Sequence, residues 1–185
     1  MPHISLPEQL PGISSAFAFR PVTAKPQREL AHILLFEPNS LTAGERELIA
    51  TYVSSLNDCY FCQTSHGAAA ASHLDNSETV KQVHVDFQQA PISEKLKRLL
   101  VIAGQVQRGG KSVTRSAVDA ARDQGATDTE IHDTVLIAAA FCMYNRYVDG
   151  LATWQPVDET MYAQMGAHLA REGYRTSSIR PANKQ

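Results

Sequence analysis

The chain has 185 residues, enough for one large domain whose core needs neither disulfides nor a metal to hold it together. Its 17 Lys and Arg stand against 19 Asp and Glu, a formal net charge of -2 with no long run of either sign, so it lacks the electrostatic footprint of a nucleic-acid or anionic-membrane binder. The longest apolar run, VLIAAAFCMY, has ten residues against the roughly 20 that cross a bilayer, and MPHISLPEQLPG has neither the basic start nor the apolar stretch of an export signal. The expected compartment is therefore the cytoplasm, where a close Cys pair is more often catalytic or metal-binding than a permanent bridge.

Residues 1–25 are rich in proline and without sustained periodicity, which predicts an irregular N-terminal arm, followed by a short helix over PQRELAHILLF that Pro38 closes. In LTAGERELIATYVSSLN, Thr42 and Glu45 have capping-box spacing, and Leu41, Leu48, Ile49, Tyr52, Val53 and Leu56 form an apolar face at helical period. Asn57 and Asp58 interrupt this helix and cap a new one through CYFCQTSHGAAAASHL. Asp75 with Glu78 reads as a capping box for VKQVHVDF, Ser93 opens SEKLKRLLVIAGQVQR, and Thr114 opens a helix that Gly125 stops.

Thr127 and Glu130 form another capping box before EIHDTVLIAAAFCMYNRYVDGL, whose middle is apolar all round, as expected of a helix central to the domain or covered by another subunit. A last amphipathic helix, VDETMYAQMGAHLAREG, ends at Gly173, and residues 175–185 read as a loose tail. No strand pattern is evident, so the fold class is all-α, one domain over residues 1–185.

The chemistry concentrates in NDCYFCQTSH, residues 57–66. At about 100° per residue, Cys59, Cys62 and His66 fall within an arc of about 60° on one helix face. Cys59 lies at the helix start, where free backbone N–H groups and the positive end of the dipole favour thiolate, the setting in which CxxC thiols become acidic. If the break at Asn57 and Asp58 folds the two helices back on each other, Glu47 and His66 lie roughly 15 Å and 12 Å from the turn and face each other across the hairpin. The set then holds a nucleophile, a base and a carboxylate that orients the base, with a second sulfur able to trap a sulfenic acid as a disulfide.

Two plainer readings stand beside this one. Zinc is served by three ligands here, Cys59, Cys62 and His66, with His73 on the same stripe as a fourth, although structural zinc usually draws on a second Cys or His pair that this chain lacks. Alternatively, both cysteines are inert core residues.

The pattern of Glu47, eleven residues, then CxxCxxxH resembles the signature of AhpD-like alkylhydroperoxidases in the carboxymuconolactone decarboxylase superfamily. LTAGERELIA through NDCYFCQTSHG, and the later EIHDTVLIAAAFCMYNRYVDGL, resemble the peroxidase-related branch, with the likeness running over about residues 5–155. The resemblance implies an all-α fold assembling as trimers or hexamers, and a cofactor-free and metal-free thiol-dependent peroxidase or disulfide reductase. It implies Cys62 as the peroxide-attacking thiol, Cys59 as its disulfide partner, and His66 with Glu47 as the proton relay. The partners implied are a hydroperoxide and an external dithiol or lipoyl-type reductant. Helix-dipole reasoning instead favours Cys59 as the more acidic sulfur, and the assignment here follows the family. One departure is Phe61, at a place where the best-known members carry a second histidine. The alternative function is a non-catalytic helical oligomer in which the pair senses oxidation or binds zinc.

Elsewhere, Arg146 and Asp149 in NRYVDG have the spacing of a helical ion pair, and Asn145 resembles a position kept in this branch. Tyr60 and Phe61 read as core, subunit-contact or pocket residues, Cys142 as packing, and His132 as structural. His3, His32 and His84 show no ligand spacing.

Overall fold

The computed structural model describes residues 1–176, and among them the regular elements are all helical. In chain order they are α1 (Ile13–Phe19), α2 (Pro21–Leu35), α3 (Ala43–Leu56), α4 (Tyr60–Leu74), α5 (Ser77–Asp86), α6 (Glu94–Arg108), α7 (Arg115–Asp123), α8 (Asp128–Gly150) and α9 (Glu159–Glu172), with a short 3-10 turn at Gly110–Ser112. None of the helices in this region is long and apolar enough to cross a membrane.

Capping sets most helix starts. Thr42 accepts from the Glu45 N–H while the Glu45 carboxylate accepts from the Thr42 N–H, and Thr127 with Glu130 repeats the exchange at the start of α8. Ser93, Thr114 and Asp158 each cap one helix with a single side-chain acceptor, every such cap contributing about 1 kcal/mol. The box expected of Asp75 and Glu78 does not form. Asp75 instead closes α4 in the left-handed region at φ 49°, and Asn76 caps α5 by accepting from the Thr79 N–H.

The N-terminal arm is more ordered than proline content suggests. Within residues 1–25 the chain forms α1 and the first turn of α2, with Pro21 at the start of α2, where its missing N–H costs nothing. Pro26 is tolerated inside α2 because the carbonyl it leaves without a partner belongs to Val22, which is 72% exposed and open to water. Phe17 of α1 is buried, with the Arg28 guanidinium 4.8 Å over its ring. At the other end Arg175 is not loose, since its guanidinium lies 2.7 Å from Glu29 and 3.0 Å from Glu37 on the far side of the chain. Residues 177–185, the rest of the expected tail, lie outside the described residues.

The core sits where α3, α6 and α8 meet, around Leu48, Ile49 and Val53, Leu99 and Ile102, and Ile137 and Phe141. The all-round apolar middle of α8 is explained by this position against both α3 and α6. α3 and α4 form an antiparallel hairpin whose turn is made by Asn57 and by Asp58 at φ 56°, and α9 lies along the other side of α4. A second apolar cluster forms there from Cys59, Phe61, Cys62, Val148, Tyr162 and Met165.

The approach of α9 to α4 requires a glycine. A Cβ built on Gly166 would lie 2.4 Å from the Ala68 carbonyl carbon and 2.7 Å from the Ala69 nitrogen, backbone that cannot step aside. Gly166→Ala is expected to destabilise the fold by about 1–3 kcal/mol through overpacking. Gly150→Ala, with open space around its Cβ, should be neutral or stabilising by up to about 1 kcal/mol. Urea unfolding of the two variants beside the parent measures both.

Candidate active site

The hairpin turn creates the site. Asn57 ends α3, the Asp58 N–H bonds the Ser55 carbonyl at 3.0 Å, and the Cys59 N–H bonds the Ser54 carbonyl at 3.0 Å, so the chain reverses within two residues. Cys59 becomes the N-cap of α4 rather than a residue of its first turn, and Cys62 follows inside the helix. Both sulfurs are buried, reduced and unbridged.

Across the hairpin, Glu47 of α3 reaches His66 of α4, with Oε2 2.8 Å from Nδ1. Glu47 is 1% exposed, so its carboxylate depends on neighbours for all its hydrogen bonds. The Tyr174 hydroxyl supplies the second, donating to Glu47 Oε1 and lying 3.3 Å from His66 Nδ1. Burial, the adjacent carboxylate and this hydrogen bond push the Tyr174 phenol well above its usual pKa, so it stays a donor. The His66 ring is held edge-on by Phe141, centroids 4.6 Å apart, and stacked flat on Tyr174 at 5.7 Å and 10°. With Glu47 Oε2 taken up by Nδ1–H, Nε2 is left as the imidazole's acceptor.

On the sulfur side, burial and the pairing of the two thiols govern Cys62. The Cys62 thiol is pushed well above the ordinary range, first by its hydrogen bond with Cys59, then by burial and by the charge of that neighbour, with the Asn145 amide pulling weakly the other way. For Cys62, the low dielectric and the second sulfur outweigh the partial positive charge at the start of α4. Cys62 is therefore a proton-bearing thiol at rest, and its proton must be removed as it reacts.

Behind the cysteines lies a polar network that the sequence pattern only hinted at. Asn145 of α8 donates to Ser54 Oγ at 3.0 Å and accepts from Asn57 Nδ2 at 2.8 Å, while Gln107 donates to Asn57 Oδ1 at 3.0 Å. Asn57 also points its amide at Cys142 Sγ, 3.6 Å away, so Cys142 borders this network as well as the apolar core. The ion pair suggested for Arg146 and Asp149 does not form. Arg146 turns back to the Cys142 carbonyl at 2.8 Å, and Asp149 faces Cys59, whose thiol hydrogen bond partly offsets the upward push that burial gives the carboxyl.

His66 and Tyr174 open onto an apolar cavity walled by Ile13, Phe17, Phe61, Phe141, Met165 and Leu169. Its volume is about 70 Å³, which holds a water or two but is less than the roughly 150 Å³ that takes benzene. Phe61, in the place of the family's second histidine, is buried, packs 6.0 Å from Tyr162 and lines this cavity, so the chain has an apolar wall where a proton carrier would stand. Tyr60 is half-exposed against the same tyrosine. The Tyr162 hydroxyl is buried beside the sulfurs without a partner.

Other candidates fall away from the site. Among the described residues no three His, Cys, Asp or Glu side chains converge in a way that holds a metal, and His73 sits against Gly44 near the far end of α4. His132 pairs with Asp133 on the surface. His32, which shows no ligand spacing, is buried and accepts the Tyr174 N–H at 3.1 Å.

Residues 21–85, which contain Glu47, both cysteines of the pair and His66, match the carboxymuconolactone decarboxylase family. The fold is also that of an uncharacterised peroxidase-related protein from Ralstonia eutropha described as an alkylhydroperoxidase AhpD core, with TM-score 0.76 and 28% identity over 85% of this chain and 82% of that one. The chain thus carries a carboxymuconolactone decarboxylase family segment within an AhpD-like fold. An uncharacterised peroxidase-related protein from a Silicibacter species shares the AhpD-like fold at TM-score 0.73, 24% identity and coverage of 80% and 77%. A protein of unknown function from Agrobacterium tumefaciens does so at 0.67, 21%, 77% and 97%. No protein of curated function matches the chain.

The proton held on Cys62 of this AhpD-like site is directly measurable. Alkylation of Cys62 by a small electrophile, followed by peptide mass spectrometry across pH, should rise only above the ordinary cysteine range near about 8.5. In Cys59→Ala, which removes the leading cause of the upward push, the rise should move to lower pH. An unchanged midpoint would mean that the second sulfur does not hold the proton.

Proposed function

We propose that the chain reduces organic hydroperoxides, and exchanges disulfides, through Cys59 and Cys62. The observation that carries this reading is the hydrogen-bonded Glu47 and His66 pair, whose imidazole lines an apolar cavity and lies one helical turn along α4 from the buried Cys62, itself hydrogen-bonded to Cys59. A thiol that keeps its proton needs a base at the moment of attack, and an imidazole oriented by a buried carboxylate is such a base.

In this reading Cys62 gives its proton to His66 Nε2, and its sulfur attacks the terminal peroxide oxygen. The O–O bond breaks, the alkoxide takes the proton back from the imidazolium, and alcohol leaves with a sulfenic acid on Cys62. Glu47 holds the transient imidazolium charge. Cys59 then attacks the sulfenic sulfur, its proton leaves with the departing hydroxyl as water, and a Cys59–Cys62 disulfide remains. An external dithiol restores both thiols by two exchange steps and becomes a disulfide itself, a task suited to the slim arm of a lipoyl-type carrier.

The small apolar cavity favours a compact alkyl hydroperoxide. Assembly into a homo-oligomer is supported by an apolar groove between α4, α5 and α9, where Val85 is 83% exposed and Tyr60 46%. A reducing cytoplasm would keep the pair in its thiol form.

The retained Cys62 proton favours one second reading, a redox sensor in which the same pair is oxidised once and turns over slowly. Steady-state consumption of ethyl hydroperoxide with dihydrolipoamide decides between them. The enzyme reading expects sustained turnover, lost in Cys62→Ser and Cys59→Ser and lowered about 10²- to 10⁴-fold in His66→Ala and Glu47→Gln. Peroxide-dependent loss of two thiols without turnover would select the sensor, and four variants indistinguishable from the parent would discard the proposed chemistry.

A further inference from the structure

The hydrogen bond from Tyr174 to Glu47 comes from a segment that contributes no motif to the sequence. After α9 ends, Gly173 at φ 70° turns the chain back across α2, and a Cβ there would lie 2.5 Å from His32 Nδ1. The next three residues are clasped in place. The Tyr174 N–H bonds His32 Nδ1 at 3.1 Å, Arg175 pairs with Glu29 and Glu37, and Arg28 donates to the Thr176 carbonyl at 2.9 Å. A strap held at four points delivers one phenol into the site.

We propose that Tyr174 is a positioning residue of this thiol site: its hydroxyl occupies Glu47 Oε1, so that Glu47 Oε2 is committed to His66 Nδ1–H and the imidazole presents Nε2 to the cavity. The inference rests on the peroxidase reading only for what the positioned imidazole then does. A carboxylate buried to 1% exposure with only His66 as partner would leave half its acceptor capacity empty, which drives it to rotate toward another donor. The phenol prevents this. Its ring does a second job by stacking on the imidazole opposite Phe141, which fixes the plane of the ring as well as its proton.

Other charged and titratable groups around the pair leave this role to Tyr174. Arg46 on α3 is engaged by the Leu34 carbonyl at 2.9 Å and the Thr42 carbonyl at 3.4 Å. From α2, Arg28 lines the cavity but is bound to Thr176, and from α8, Tyr144 donates to the Gln27 carbonyl at 2.9 Å. Cys62, one turn back on α4, is turned to Cys59 and Asn145.

Tyr174→Phe keeps the ring and the strap and deletes only the donor. Glu47, released from the phenol, then turns and loosens its hold on the imidazole N–H. The expected results are an upfield move of the His66 Nδ1–H resonance, assigned by its loss in His66→Gln, and faster exchange of that proton with water. A loss of packing alone would leave Glu47 on Nδ1–H and the resonance in place. In the parent, the Tyr174 hydroxyl proton should also show an Overhauser contact to His66 Nδ1–H, a test that needs no variant. Both resonances are read without peroxide, so the two readings fail separately. A moved resonance in a protein inert to peroxide keeps Tyr174 in its role and removes the peroxidase reading. An unmoved resonance, or a missing Overhauser contact, overturns the proposal whether or not peroxide reacts.

Discussion

A carboxylate that water cannot reach is the constraint from which the site follows. Glu47 sits on the core-facing side of α3, and its two oxygens are satisfied by the imidazole of His66 and the phenol of Tyr174. Burying such a group is unfavourable by several kcal/mol unless its lone pairs are filled, so the pairing dictates how α4 must lie on α3 and where the strap after α9 must land. The turn at Asn57 and Asp58, the glycine contact between α9 and α4, and the clasp of Arg175 on α2 all serve that geometry. Stability and chemistry draw on the same contacts, because the group that needs neighbours is also the group that orients the base.

The sulfur pair is arranged on the opposite logic. A thiol at a helix start in contact with water becomes acidic, yet here the pair is dry and Cys62 is hydrogen-bonded to Cys59. The result is a Cys62 thiol that keeps its proton. In the proposed chemistry such a thiol would stay latent until base and substrate meet it, and the apolar wall, including Phe61, would favour a substrate that sheds water on entry. The polar network through Asn145, Asn57, Ser54 and Gln107 holds the turn that carries Cys59, so the distance between the two sulfurs depends on α6 and α8 as well as on the hairpin.

Much of this was legible in the sequence, for reasons that are local. Capping boxes at Thr42 and Thr127, the break at Asn57 and Asp58, and the spacing of Glu47, Cys59, Cys62 and His66 are all set within a few residues of each other or across a single turn. What escaped depends on contacts distant in sequence. Tyr174 reaches Glu47 across 127 positions, and nothing beside it in the chain says where the strap lands. The helix at Ile13–Phe19 was hidden by the prolines around it, since its stability comes from burying Phe17 rather than from its own periodicity. Asp149 was read by its spacing to Arg146, whereas the fold turns it to Cys59 because α8 passes the start of α4.

In the proposed chemistry two sulfurs act as a unit on a peroxide oxygen. The most direct measurement is the mass of the intact, fully reduced protein after one equivalent of a small alkyl hydroperoxide, with the modified peptide mapped and the alcohol quantified. The prediction is one alcohol released per chain and the loss of two hydrogens' mass as a Cys59–Cys62 disulfide, with Cys142 still free. An added oxygen that persists on Cys62, a bridge involving Cys142, or unchanged thiols beside intact peroxide would contradict it.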